Sequence, residues 1–460
     1  MPDLSPSPGA DSAHGDETRH AGMRRIALSS LLGTAIEYYD FLLYGTMAAV
    51  VFGSLFFPAE SGSAASIAAF GTLAVGYFAR PLGGMIFGHF GDRLGRKSML
   101  IISMSMMGAA SVLIGVLPGY DRIGVLAPIL LVFLRLVQGV AVGGEYGGAA
   151  LMVVEHAKPG RRGIWSSVML LGTPVGSLLS TLAVAIVSTL PEEDFLAWGW
   201  RIPFLLSAAL LAVGLYVRLS VTESPVFKEA VEAARSGPAE AKIPVVQVLR
   251  NPRLLLLACA VGIGPFALTA LGTSHIIAYA GSVGFAVPDI MDTLLFVVSV
   301  SLVFIPLASW LSDRFGRRRV ILTGAAGAIV WAFPLYALVD TGTWWLLTLA
   351  LMVAQVLQNL MFAPITPLLS EMFGTRMRYT GVSMGYQFSS LIGAGLTPVI
   401  AASLLAANGN SSVALSLIIV VTSLATVIAV ALMSETRGRA LSDAGRTPAP
   451  AVESEDAATT

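Results

Sequence analysis

Charge is what this sequence has least of. Asp, Glu, Lys and Arg make up 12% of its 460 residues, against about 25% in an ordinary soluble domain. So few charges could not cover a water-soluble fold of this length, and hydrophobic residues supply 55% of the chain. Lipid takes the place of water over most of its surface. The 28 basic residues only balance 28 acidic ones, so nucleic acid is not an expected partner. The single cysteine, Cys259, lies in an apolar run, which excludes an internal disulfide framework and a cysteine-based metal cluster. There is no HExxH, no zinc-ligand spacing and no nucleophile–base constellation. No metal, cofactor or enzymatic activity is therefore expected. The first 25 residues are polar, without the apolar stretch of a cleaved signal peptide.

What is abundant is long apolar runs. A bilayer core about 30 Å thick needs roughly 20 apolar residues per helix. Runs near 28–52, 64–88, 98–118, 124–150, 163–188 and 200–220 meet that length, as do runs near 253–280, 288–311, 320–340, 344–369, 379–405 and 411–433. The expected fold is an all-α membrane protein of twelve transmembrane helices in two six-helix halves. Its divisions are a disordered N-tail at 1–25, a first bundle at 26–220, a polar linker at 221–252, a second bundle at 253–436 and a disordered C-tail at 437–460.

Orientation follows from Lys and Arg in the short loops. With the N-terminus inside, 24 of the 28 fall on the cytoplasmic side, Arg218 among them; Arg122 and Arg201 are outside, and Arg80 and Arg135 lie within spans. Both termini are expected in the cytoplasm, in a plasma membrane.

The halves echo each other. Gly91-Asp92-Arg93-Leu94-Gly95-Arg96-Lys97 follows the second span, and Ser312-Asp313-Arg314-Phe315-Gly316-Arg317-Arg318 follows the eighth, 221 residues on. A second echo sets Glu155 with Arg161 and Arg162 against Glu371 with Arg376 and Arg378. Two similar halves place a cavity at their interface near mid-membrane. In the first loop, Gly91 and Gly95 allow a tight turn in a solvated segment. Asp92 accepts from a neighbouring helix N-terminus or pairs with Arg93 and Arg96. Such a cluster can hold one packing of the bundle and release it in another. A plain positive-inside loop would need only the basic residues. Gly95-Arg96-Lys97-Ser98 lacks the Gly-Lys that cradles nucleotide phosphates, so ATP is not the expected energy source.

A charge at mid-bilayer costs roughly 2.5–3.5 kcal/mol, so each one inside a span asks for a reason. Glu37 and Asp40 are three residues apart on one face of the first span. Two close carboxylates disfavour double ionisation, so one should hold a proton. Arg135 and Gln138 share a face of the fourth span, with Glu145 two turns further on. Arg135 either meets a substrate carboxylate or partners Glu37 or Asp40; Arg80 serves the substrate or packing. Gln355, Gln358 and Asn359, Gln387, and His275 with Tyr279 make the second half polar at depth. They line a cavity or bond neighbouring helices.

These motifs carry a family resemblance. The stretch from Ala79-Arg80-Pro81-Leu82-Gly83-Gly84 through the GDRLGRK loop resembles the loop motif of the major facilitator superfamily, and most of all its metabolite:H⁺ symporter branch. So do Gly33-Thr34-Ala35-Ile36-Glu37-Tyr38-Tyr39-Asp40-Phe41, Arg135-Leu136-Val137-Gln138-Gly139 with Gly143-Gly144-Glu145, and Gly199-Trp200-Arg201-Ile202-Pro203-Phe204. The resemblance implies a monomeric, proton-coupled carrier of small carboxylates such as shikimate or oxoglutarate, or of zwitterions such as proline and betaine. The expected proton-coupling residues are Glu37, Asp40 and Glu145. The expected substrate-binding residues are Arg135, Gln138, Arg80, Tyr38, Gln358, Asn359 and Gln387. Gating is expected of Gly91, Asp92, Arg93, Gly95 and Arg96, with Asp313, Arg314, Gly316 and Arg317 in a looser second copy, since Ala308 and Ser309 replace glycines. The expected partners are a small molecule, H⁺ and membrane lipid. A sugar or drug facilitator and a non-transporting receptor are the alternatives.

Overall fold

The computed structural model describes residues 8–58, 62–224, 227, 232, 243–409 and 411–441. Eleven helices are long and apolar enough to cross a bilayer: α1 (Gly22–Phe56), α3 (Arg96–Val116), α4 (Leu126–His156), α5 (Arg162–Val187), α6 (Arg201–Leu219), α7 (Pro252–Val283), α8 (Val287–Phe315), α9 (Arg317–Val339), α10 (Trp344–Met372), α11 (Thr375–Leu405) and α12 (Val413–Ala431). The twelfth, α2 (Gly62–Leu94), has the length at 33 residues. Arg80 and Pro81 interrupt its apolar run. The chain is a multi-pass membrane protein, and the described residues hold no strand.

Each half repeats one packing scheme. In the first, α2 and α3 lie along α4, α6 lies along α3, and α1 lies along α5. In the second, α8 and α9 lie along α10, α12 along α9, and α7 along α11. The halves meet through α2 against α11 and α5 against α8, two contacts that exchange under the internal repeat. Small residues make the closest crossings possible. A Cβ on Gly143 of α4 would run into the backbone of Arg80, Gly83 and Gly84 of α2. The helices also interrupt at related places. Turns widen to an i→i+5 pattern at Ala48–Phe52 in α1 and Leu271–His275 in α7. Proline at 364 separates Trp344–Phe362 from Ile365–Met372 within α10, as its missing N–H dictates.

Three boundaries differ from the sequence expectation. The helix that carries α1 begins at Pro8, so residues 8–25 continue it rather than form a disordered tail; proline fits the first turn of a helix, where its N–H would have no partner. Residues 1–7, most of the linker between 225 and 242, and 442–460 of the C-tail lie outside the described residues. The linker's end forms the short helix Pro244–Leu249. Gly91 is not in a turn either. It lies inside the helix of α2, facing Tyr379, and Gly95 alone makes the reversal, at φ +105°. Gly316 does the same at φ +100°, a conformation that suits glycine.

Candidate functional site

Mid-way along α1, α2 and α4, ten residues enclose a small cavity, among them Glu37, Asp40, Phe41, Arg80, Arg135 and Gln138. It has room for about one water molecule. The charges that sequence placed on three separate spans thus meet in one place. Tyr38, Glu145 and the second-half amides do not line it.

The two acids differ in their surroundings. Asp40 is buried and accepts from the hydroxyl of Ser207 at 2.6 Å and that of Ser111 at 2.7 Å. Gln138 extends the chain by donating to Ser111 at 2.8 Å. Glu37 is buried too, at 8% exposed against 2% for Asp40, yet it makes no hydrogen bond or ion pair among the described residues. Two hydroxyls thus hold the Asp40 carboxyl, and no described residue donates to that of Glu37.

Arg135 is buried and Arg80 half-buried, and neither has a carboxylate within ion-pair distance among the described residues. Arg135 donates to Gln138 at 3.2 Å and leaves its Nε without a partner. Its guanidinium lies 4.2 Å from the ring centre of Tyr44 and 5.4 Å from that of Phe41. Arg80 lies over Tyr77 at 4.5 Å and Phe41 at 4.8 Å. The pairing of Arg135 with Glu37 or Asp40, held open from sequence, does not occur.

Other candidates are placed elsewhere. Glu145 forms a buried ion pair with Arg218 of α6, and Ser103 donates to it at 3.1 Å. Arg218 is therefore not a loop residue. Its side chain turns back into the bundle to meet Glu145, in the space that Gly33 leaves. Gln355, Gln358 and Asn359 bond one another and Ser301 of α8. Gln387 donates to the backbone carbonyls of Val142 and Gly143 across the halves. His275 is buried with Nε2 unpaired, and Tyr279 donates to Asp340 at 2.5 Å.

Between this cavity and the basic end of the bundle, the halves are shut in layers. Tyr146 stacks on Tyr386 at 3.3 Å between ring centres and bonds Thr366 at 2.8 Å. Tyr379 donates to the Gly144 carbonyl at 2.8 Å. Below them lies the charge cluster. Asp92 is not solvated; its side chain is fully buried, accepting from the Tyr379 and Thr380 amides at 3.0 Å each and the Thr380 hydroxyl at 2.9 Å, with Arg96 at 3.7 Å. It caps α11 of the opposite half. Asp313 caps α5 in return, accepting from Gly163 at 3.0 Å, Ile164 at 2.8 Å and Arg317 at 2.6 Å. The second copy is no looser than the first.

Glu155 sits between Arg96 at 3.3 Å and Arg378 at 3.1 Å, and Glu371 between Arg317 at 3.4 Å and Arg162 at 3.1 Å. Arg93 and Arg314 are exposed. Sequence reasoning missed four members. Glu223 accepts from the Lys97 amide, and Ser224 donates to Glu155. Glu435 accepts from the amides of Arg317 and Arg318, and Thr436 donates to Glu371. The signal was there: Glu223-Ser224 after the sixth span and Glu435-Thr436 after the twelfth are a third echo. Burial pushes Glu435 up, but these amides outweigh it and hold its carboxyl below the usual range.

Comparison with known proteins settles the family. Residues 26–244 match the family described as Sugar (and other) transporter, and residues 278–457 match the Major Facilitator Superfamily. The chain is 43% identical to the shikimate transporter of Escherichia coli over 386 residues, 83% of this chain and 88% of that one. The chain belongs to the major facilitator superfamily. It is a transporter and not an enzyme. The proline/betaine transporter of Escherichia coli is 33% identical over 93% of this chain and 86% of its own length. Among solved structures, the proton:xylose symporter XylE bound to 6-bromo-6-deoxy-D-glucose superposes with a TM-score of 0.72 at 18% identity, covering 92% of this chain and 98% of that one. That likeness is one of fold.

Proposed function

We propose that the chain is a proton-coupled symporter that brings a small organic acid, of shikimate or dicarboxylate kind, into the cell by alternating access. The observation that carries this reading is a pair of guanidiniums in the central cavity, buried Arg135 and half-buried Arg80, neither with a carboxylate within ion-pair distance among the described residues. Buried cations stay unpaired at a high cost, and a substrate carboxylate would satisfy both the charge and the free Nε of Arg135. The similarity to a shikimate transporter supports the same class of cargo. Glu37, beside them and without a donor, is the proton site. The basic end of the bundle is the cytoplasmic one, both termini lie there, and the protein works as a monomer in the plasma membrane.

A zwitterionic osmolyte is the second reading, favoured by the proline/betaine relative. A quaternary ammonium is held by the faces of aromatic rings. Here the faces of Phe41, Tyr44 and Tyr77 already hold guanidiniums, which would repel it. The test is exchange of labelled shikimate, oxoglutarate, citrate, proline and betaine in proteoliposomes. At least one carboxylic acid should exchange, and Arg135→Gln should raise its KM by about 10- to 100-fold, the worth of one charge-assisted bond. Exchange of proline or betaine alone would overturn the anion reading.

A further inference from the structure

Away from the central cavity, a groove of about 550 Å³ opens at the basic end between α5 and α8, so that one wall belongs to each half. Arg161, Ile164 and Trp165 line it from one side, and Trp310, Asp313 and Arg314 from the other. Arg161 and Arg314 are exposed, and neither has an acid within ion-pair distance among the described residues. Arg314 lies 5.4 Å from the ring of Trp310. The groove's one acid, Asp313, is already committed to Arg317 and to two α5 amides.

We infer that this groove binds the headgroup of an anionic phospholipid, and that its occupant favours the conformation in which the basic end is closed. Three features fit a lipid rather than a soluble anion. Trp165 lies three residues inside the start of α5 and Trp310 five residues before the end of α8. At 1.5 Å per residue both indoles sit roughly 5–8 Å from the helix ends, the depth at which tryptophan marks a membrane interface. The two guanidiniums stand at the open rim, where a phosphate would arrive. The indoles and Ile164 give an apolar wall that acyl chains can follow and inorganic phosphate cannot use.

The conformational effect follows from where the groove is. Its two walls are held together by the bonds from Asp313 to Gly163 and Ile164. Opening of the basic end separates α5 from α8 and takes Arg161 away from Arg314. A ligand bridging both therefore binds one state better and shifts the population towards it.

The experiment uses the full chain in nanodiscs of phosphatidylcholine with or without phosphatidylglycerol. Native mass spectrometry reads the lipid retained, and spin labels at exposed Ser98 and Arg376, in a Cys259→Ala background, read closure. Phosphatidylglycerol should be retained over phosphatidylcholine and should shorten the label distance. Arg161→Gln with Arg314→Gln should cut retention at least about fivefold, the effect of one charge near a membrane surface. The paired Lys substitutions should restore it. Because both residues are exposed and unpaired, the single Gln variants provide the same reading if the double variant folds poorly. Arg319→Gln, a basic residue on α9 that does not line the groove, serves as the charge control. Retention unchanged in the double variant, an equal loss in the control, or displacement of the lipid by millimolar inorganic phosphate would each overturn the assignment.

Discussion

At the scale of single residues, the cavity sorts four charges by their partners. Glu37 lacks a donor among the described residues while Asp40 has Ser111 and Ser207, and Glu37 is accordingly proposed to carry the coupling proton. Glu37→Gln should therefore abolish pH-driven accumulation while retaining substrate exchange, which needs no net proton movement. Asp40→Asn should keep some accumulation and lose stability instead, by about 1–3 kcal/mol, because its amide NH₂ cannot accept from both hydroxyls. Uptake under a pH gradient and thermal unfolding of the two variants separate these outcomes. Sequence made these four charges visible because an ionisable group in an apolar span is rare. It did not tell the acids apart, since intramembrane serines such as Ser111 and Ser207 are common and carry no pattern. Arg218 misled for a related reason: as the last residue but one of α6 it reads as loop, and only packing shows its guanidinium on Glu145.

At the scale of elements, helix caps are exchanged between the halves at the basic end. Asp92 caps α11 and Asp313 caps α5, so each carboxylate ties one half to the other only while the basic end is closed. Removing one partner from a buried pair costs about 3–5 kcal/mol, and here that loss falls on one conformation. Asp92→Asn and Asp313→Asn should each lengthen the Ser98–Arg376 label distance, and the double substitution more so. Distance distributions measured by electron paramagnetic resonance check this; no change in either variant would remove the capping role. The loop motif was legible because its residues recur after 221 positions. Its burial was not, because a seven-residue stretch with four charges looks solvated until α11 is seen lying over it. Glu223 and Glu435 were passed over because each stands in a polar stretch after the last span of its half, with nothing local to mark it as an acceptor for the charged loop of that same half.

At the scale of the whole molecule, composition and apolar runs were enough to give twelve helices and two halves, since lipid leaves the backbone few alternatives. What they could not give is which face of each helix meets which neighbour. The glycines of α4 show this: Gly139, Gly143 and Gly147 keep a four-residue spacing, yet the first two meet α2 and the third meets α11. Orientation can be checked with Ser98→Cys and Glu193→Cys in the Cys259→Ala background. A membrane-impermeant thiol reagent applied to intact cells should label position 193 and leave position 98 untouched. The central claim is that an organic anion and a proton move together through the Glu37–Arg80–Arg135 cavity. Its most direct test is to load proteoliposomes with buffer, add a carboxylate the protein has been found to exchange (shikimate first) outside with no pH gradient, and record the external pH. The account predicts that downhill entry of the acid anion makes the weakly buffered medium more alkaline, and that Glu37→Gln abolishes this signal while exchange continues. Substrate entry with no pH change in the unaltered protein, or an undiminished signal in Glu37→Gln, would contradict it.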